Sequence, residues 1–164
     1  MNEKPSVEPE LLKDVMTVLP NLRAFAISLS GDSVQADDLV QETLVRTLSH
    51  SDQFRPGTNL NAWLFTILRN LFHSEYRKKR REVPDPDGTY AGQMETPGDQ
   101  LPHMELQDVQ HALNELSPEQ REALVLVGAE GFSYEDAAAI CGVTVGTIKS
   151  RVSRARTRMA ELLG

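Results

Sequence analysis

A stretch rich in proline and glycine decides how this chain can fold. Residues 82–104 hold Pro84, Pro86, Gly88, Gly92, Pro97, Gly98 and Pro102 and few apolar side chains. Such a segment breaks helices and has little to bury, so it reads as a flexible linker. The 164 residues are therefore expected as two small units, 10–81 and 105–164, behind a disordered tail at 1–9.

Both units read as helical, and the expected fold class is all-α. Leu11, Leu12, Val15, Met16 and Leu19 recur at helical spacing until Pro20, which is expected to interrupt the helix. Asn21 to Ser30 continues with Leu22, Phe25, Ala26 and Leu29 on one face. Gly31-Asp32-Ser33 is a stop and a start, followed by a helix over 34–49 with a stripe of Leu39, Val40, Leu44 and Leu48. Phe54-Arg55-Pro56-Gly57-Thr58 is a turn. From Leu60 an apolar helix runs through Trp63, Leu64, Ile67, Leu68 and Leu71 and becomes basic up to Arg81. After the linker come a helix from Glu105 to Leu116 and a capping box at Ser117-Pro118-Glu119-Gln120, whose helix runs to Val127. A second box at Ser133-Tyr134-Glu135-Asp136 starts a short helix ending at Gly142, and Thr144 caps the last helix. No strand signal is convincing.

Several function classes drop out. No apolar run is long enough to span a membrane, and the acidic start MNEKPSVEPE is no signal peptide. The single cysteine, Cys141, allows no internal disulfide and suits the cytoplasm; it reads as packed rather than reactive. His50, His73, His103 and His111 are scattered, with no metal-ligand spacing, and no glycine-rich phosphate loop exists. The expectation is no enzyme, no cofactor, no metal and no small-molecule substrate.

The net charge of −7 at first argues against nucleic acid, but its distribution reverses that. Arg69, Arg77, Lys78, Lys79, Arg80 and Arg81 crowd one stretch, and Lys149, Arg151, Arg154, Arg156 and Arg158 another. These are 11 of the 17 basic residues, while 82–108 hold seven acids and no base. Two basic footprints are separated by one acidic segment.

The second footprint lies on a helix-turn-helix. The motif needs a small residue where its helices cross, a glycine able to take positive φ, and an apolar residue that seats the second helix. Ala138, Gly142 and Ile148 stand at those offsets. The second helix, roughly Thr144 to Leu162, would bury Ile148, Val152, Ala155 and Met159 and enter the major groove. Lys149, Ser150, Ser153, Arg154 and Arg156 would lie outside, where Arg and Lys reach guanine edges and Ser reaches bases or phosphates. In the first footprint, Trp63, Leu64 and Ile67 read as core, while Asn70, His73, Ser74 and Tyr76 interleave with the bases as on a nucleic-acid surface.

Four segments together resemble a family. Asp37-Asp38-Leu39-Val40-Gln41-Glu42-Thr43-Leu44, then Phe54-Arg55, then Asn61 to Asn70 (NAWLFTILRN), then Gly146 to Arg156 (GTIKSRVSRAR) resemble extracytoplasmic-function sigma factors, over about residues 12–162. These are bacterial transcription initiation factors with two globular domains, called regions 2 and 4. The resemblance implies that Asp38, Gln41, Glu42 and Arg46 dock on the coiled-coil clamp of core RNA polymerase. It implies that Asn70 reads a flipped base of the minus-ten element, with Arg69, His73, Arg77 and Lys78 on the backbone and Trp63 in the same set. It also implies that Lys149, Ser150, Ser153 and Arg154 read the minus-thirty-five element, with Thr144, Thr147, Arg151 and Arg156 in the DNA-facing set. The partners implied are core polymerase, promoter DNA and an anti-sigma factor, with the free protein a monomer. Asn21 to Ala26 (NLRAFA) and Gly57 to Trp63 (GTNLNAW) are similar to general-stress sigma factors of Alphaproteobacteria.

The linker fits that role. At full extension 23 residues span at most ~75 Å, but as a free coil their ends average ~25–30 Å. Promoter elements about one and a half duplex turns apart lie roughly 50–60 Å from one another. The linker must be held stretched, and an acidic segment suits a basic channel. An acidic free protein should bind DNA weakly and with strong salt dependence. Two rival readings stay open: a sigma-like decoy that sequesters an anti-sigma factor, and a conventional helix-turn-helix activator. A decoy need not keep both basic clusters, and an activator leaves the Trp63–Arg81 helix unexplained.

Overall fold

The computed structural model describes residues 9–82 and 104–164, and every element among them is helical. The expected tail and linker lie outside these residues, except that Pro9, Glu82 and Met104 are helix ends.

Helix α1 spans Pro9–Ser30 and buries Val15, Val18, Leu22, Phe25, Ala26 and Leu29. The interruption expected at Pro20 does not occur. An internal proline removes one backbone hydrogen bond and costs about 3 kcal/mol. Here the buried stripe stays in phase on both sides of it, so one continuous packing face outweighs that loss. Leu12 and Met16 belong to no such face: they are 45% and 57% exposed.

Helix α2, Ser33–Ser49, starts where Asp32 accepts a hydrogen bond from the Val34 amide at 3.0 Å. Gly31 ends α1 with φ of 70°, a conformation only glycine adopts cheaply. The buried face of α2 carries Ala36, Leu39, Thr43 and Thr47; of the expected stripe Leu39 is buried, Val40 and Leu44 are half-buried against the core, and Leu48 is exposed. The two threonines suit an apolar site because each hydroxyl donates to the carbonyl four residues back, at 2.7 Å. Asn59 then caps helix α3, Leu60–Glu82, accepting from the Ala62 amide at 3.1 Å. Leu64, Phe65, Leu68, Leu71 and Phe72 of α3 are buried against α1 and α2.

The second unit contains α4 (Met104–Glu115), α5 (Pro118–Leu124), α6 (Tyr134–Cys141) and α7 (Val145–Leu163). Helix α5 does not run to Val127 as a regular helix; a π-helical turn, Val125–Ala129, follows it. The expected caps are in place. Ser117, Ser133 and Thr144 accept from the amides of Gln120, Asp136 and Thr147 at 3.2, 3.0 and 3.2 Å. Gly142 takes φ of 68° and makes the turn between α6 and α7.

The two units share one hydrophobic core. Helix α3 lies on α6, and α1 touches α5. Phe65 of α3 meets Phe132 edge-on across the boundary, with ring centroids 5.1 Å apart.

Candidate nucleic-acid interface

The reading surface on α7 follows from its amphipathic sequence. Ile148, Val152 and Ala155 are buried against α5 and α6, which fixes the roll of the helix, and Met159 is half-buried. Lys149, Ser150, Ser153, Arg154 and Arg156 are thereby left exposed, as expected. The Lys149 ammonium lies 5.8 Å from the centre of the Tyr134 ring, which can tether it over the helix start. Thr144 is exposed and Thr147 half-buried, with their hydroxyl oxygens 2.9 Å apart. Arg151 differs from the others. It is half-buried, and one guanidinium nitrogen, Nη1, is enclosed, so it is turned partly away from the reading face.

On α3, Asn70, Arg77 and Lys78 are exposed, whereas Trp63 is half-buried against Phe54 with ring centroids 5.3 Å apart. Arg80 sits 5.7 Å from the centre of the Tyr76 ring. Arg69 and His73 are not free. Both point into the boundary between the units, where Glu122 of α5 is fully buried between them. Arg69 donates to Glu122 from Nε to Oε2 and from Nη2 to Oε1, each at 3.0 Å, and His73 Nε2 lies 2.7 Å from the same Oε2. Arg69 Nη1 also donates to the side-chain oxygen of Asn70 at 3.2 Å.

Burial works against a charged Glu122, but the hydrogen bonds from His73 and Arg69, and their charge, outweigh it and hold the carboxyl below the usual range. Burial likewise works against a charged Arg69, and Glu122 overcomes it, raising that guanidinium above its ordinary value. Cys141 of α6 faces the same carboxylate; burial first, then Glu122, pushes its thiol up to about 12. It is buried, and a thiol held in its neutral form is a poor nucleophile.

Arg121, next to Glu122, is buried without a carboxylate. Its Nε donates to the Leu113 carbonyl at 2.8 Å, Nη2 to Leu116 at 3.2 Å, and Nη1 to Leu29. These carbonyls belong to the ends of α4 and α1, where helical oxygens have acceptor capacity to spare and the dipole favours a cation; the Leu113 carbonyl also accepts from the Leu116 amide at 3.1 Å. Burial still lowers its pKa below the ordinary arginine value.

Sequence reasoning singled out neither Arg121 nor Glu122. The available signal was phase: Glu122 precedes the buried Leu126 by one helical turn, on the apolar face of its helix.

On the opposite side of α3, an open groove separates it from α2. Asp38, Gln41, Glu42 and Arg46 of α2 all line it, with Val45, and Leu71, Ser74 and Glu75 of α3 form the other wall. All four expected polymerase-docking residues are exposed, and Arg46 pairs with Glu42 at 3.3 Å. A polar rim around Val45, 57% exposed, suits an amphipathic partner helix.

Comparison with known families separates the same two units. Residues 15–82 match the model of Sigma-70 region 2, and 106–159 match Sigma-70, region 4. The ECF RNA polymerase sigma factor EcfG of Rhodopseudomonas palustris is 61% identical over 153 residues, 93% of this chain and 84% of that protein. The chain belongs to the ECF sigma factors. It is thus a transcription initiation factor that acts with RNA polymerase at promoters. Among solved structures, the sigma factor RpoE of Bartonella quintana, in complex with the anti-sigma factor NepR, is 54% identical with a TM-score of 0.83, covering 95% of this chain and 98% of that one. CnrH, in complex with the cytosolic domain of CnrY, is 29% identical with a TM-score of 0.71, covering 93% and 86%. Among the described residues, no helix is long and apolar enough to cross a membrane.

Proposed function

We propose that the two units divide promoter recognition between them. Helix α7 reads the minus-thirty-five element with Lys149, Ser150, Ser153, Arg154 and Arg156, its amino end held by the Thr144 cap. Helix α3 reads and opens the minus-ten element, with Asn70 on a flipped base and Arg69, His73, Arg77 and Lys78 on the backbone. The α2–α3 groove takes the polymerase clamp through Asp38, Gln41, Glu42 and Arg46. Opening the duplex draws on binding energy, with no covalent chemistry, and the protein works in the cytoplasm. An anti-sigma factor of the NepR kind holds it inactive until a stress signal arrives.

The observation that carries this reading is the exposed polar row on α7 together with exposed Asn70, Arg77 and Lys78 on α3, in a chain matching both sigma regions. A conventional activator would leave the second surface unused. The test is transcription in vitro with purified core polymerase. Promoter-specific transcripts are expected with this protein and not without it. Asn70→Ala should impair strand opening and spare upstream binding, whereas Arg154→Ala should weaken upstream binding. If the protein bound NepR yet supported no transcript at any promoter, it would be a decoy rather than a sigma factor.

A further inference from the structure

The geometry points to Glu122 as an interdomain latch that masks the strand-opening helix in the free protein and must be broken before the promoter is engaged. This rests on the assignment of α3 to the minus-ten element. Three of the residues given that task are chained to one carboxylate. Arg69 donates to both Glu122 oxygens, His73 contacts one of them, and Arg69 also holds the acceptor oxygen of Asn70. A backbone phosphate cannot occupy Arg69 and His73 while Glu122 does, because the donors are the same and the charges are alike.

Distance makes the same exclusion at larger scale. Helix α6 lies directly on α3, and α7 follows α6 after a short turn. Two elements roughly 50–60 Å apart on a duplex cannot both be read while these helices are packed together. The docked arrangement is therefore a state without promoter. The rest of the boundary is a shared apolar core that includes the edge-on pair of Phe65 and Phe132, and Arg121 reaches the Leu29 carbonyl across it. Opening it draws on the binding energy of polymerase and promoter, and each docking contact removed shifts the balance toward the open state.

The test uses the full chain and two variants. Glu122→Ala removes the latch. Phe132→Ala weakens docking without changing charge or touching any residue assigned to DNA. Small-angle scattering reports domain separation, and fluorescence anisotropy reports binding of a labelled single-stranded DNA of random sequence. Both variants should show a larger radius of gyration and bind the strand roughly fivefold or more tightly than the wild type. The Phe132 variant guards against a trivial effect of losing one negative charge, and against local unfolding around position 122. Unchanged dimensions in both variants would overturn the latch. Expansion without tighter binding would overturn the masking. In that case Asn70→Ala with polymerase separates the two ideas. Loss of strand opening would leave α3 as the opener without a latch, and normal opening would remove its assignment to the minus-ten element.

Discussion

At the scale of single residues, adjacent side chains on α5 do opposite electrostatic work. Arg121 satisfies carbonyls of two helix ends, and Glu122 gathers donors from α3 while facing Cys141. Replacing Arg121 by alanine removes a donor from the Leu29 and Leu116 carbonyls and leaves the Leu113 carbonyl only the Leu116 amide, and should destabilise the protein by about 3 kcal/mol or more in urea titrations. Glu122 carries a pH dependence of definite sign. Its folded pKa is depressed, so its stabilisation is complete above the ordinary carboxylate value of about 4.3. It is lost as pH falls through the lower folded value. The stability difference between the wild type and Glu122→Gln should be about 2 kcal/mol near neutrality and should shrink only as the solution is acidified past the ordinary value. A difference that shrank between pH 8 and pH 6 instead would assign the dependence to another group. Cys141 gives a chemical readout of the same boundary. Its thiol should react slowly with a disulfide reagent in the wild type, and faster in Glu122→Ala as the cover of α3 is lost.

Elements were legible where a local rule acts alone. Ser117, Ser133 and Thr144 are caps because each stands before a helical stripe with nothing nearby to compete, and Gly142 makes the turn because only glycine takes its φ at little cost. Gly142→Ala meets no neighbouring atom, so its penalty is conformational, about 1–2 kcal/mol, and Thr144→Ala should cost about 1 kcal/mol. Thermal unfolding measures both. Local rules failed where tertiary packing overrides them. Pro20 breaks an isolated helix but not one whose buried face continues past it, and the apolar stripe expected on α2 left out Thr43 and Thr47, whose burial depends on hydroxyls bonded to their own helix. The exposed row on α7 was readable because burial of Ile148, Val152 and Ala155 fixes its phase. The engagement of Arg69 and His73 was not, because their partner lies 53 and 49 residues further on and an acid on a helix ordinarily reads as solvated. The α7 reading makes its own prediction. Arg154→Ala should lose about 1–3 kcal/mol of discrimination between matched and mismatched upstream elements, measured by competition for promoter fragments in the presence of polymerase.

Across the whole molecule, the linker expectation and the docked structure describe two ends of one range. Twenty-one residues separate the ends of α3 and α5's preceding helix α4, from Val83 to His103. That length allows α6 to rest on α3 and also allows the units to stand a promoter's spacing apart. Charge favours neither state by itself: the net −7 is the charge of the acidic segment, and the basic clusters lie on α3 and α7. On the proposed reading, what selects between the states is which partner takes Arg69 and His73: the buried carboxylate that holds them here or the DNA backbone. The most direct measurement places a donor dye at Val34, exposed at the start of α2, and an acceptor at Leu163, exposed at the end of α7. Energy transfer between them is followed for the free protein and for the polymerase–promoter complex. The account predicts high transfer in the free protein and a marked fall when core polymerase and promoter are added, as the units separate to span roughly 50–60 Å of duplex. Unchanged transfer in a complex that makes promoter-specific transcripts would contradict it.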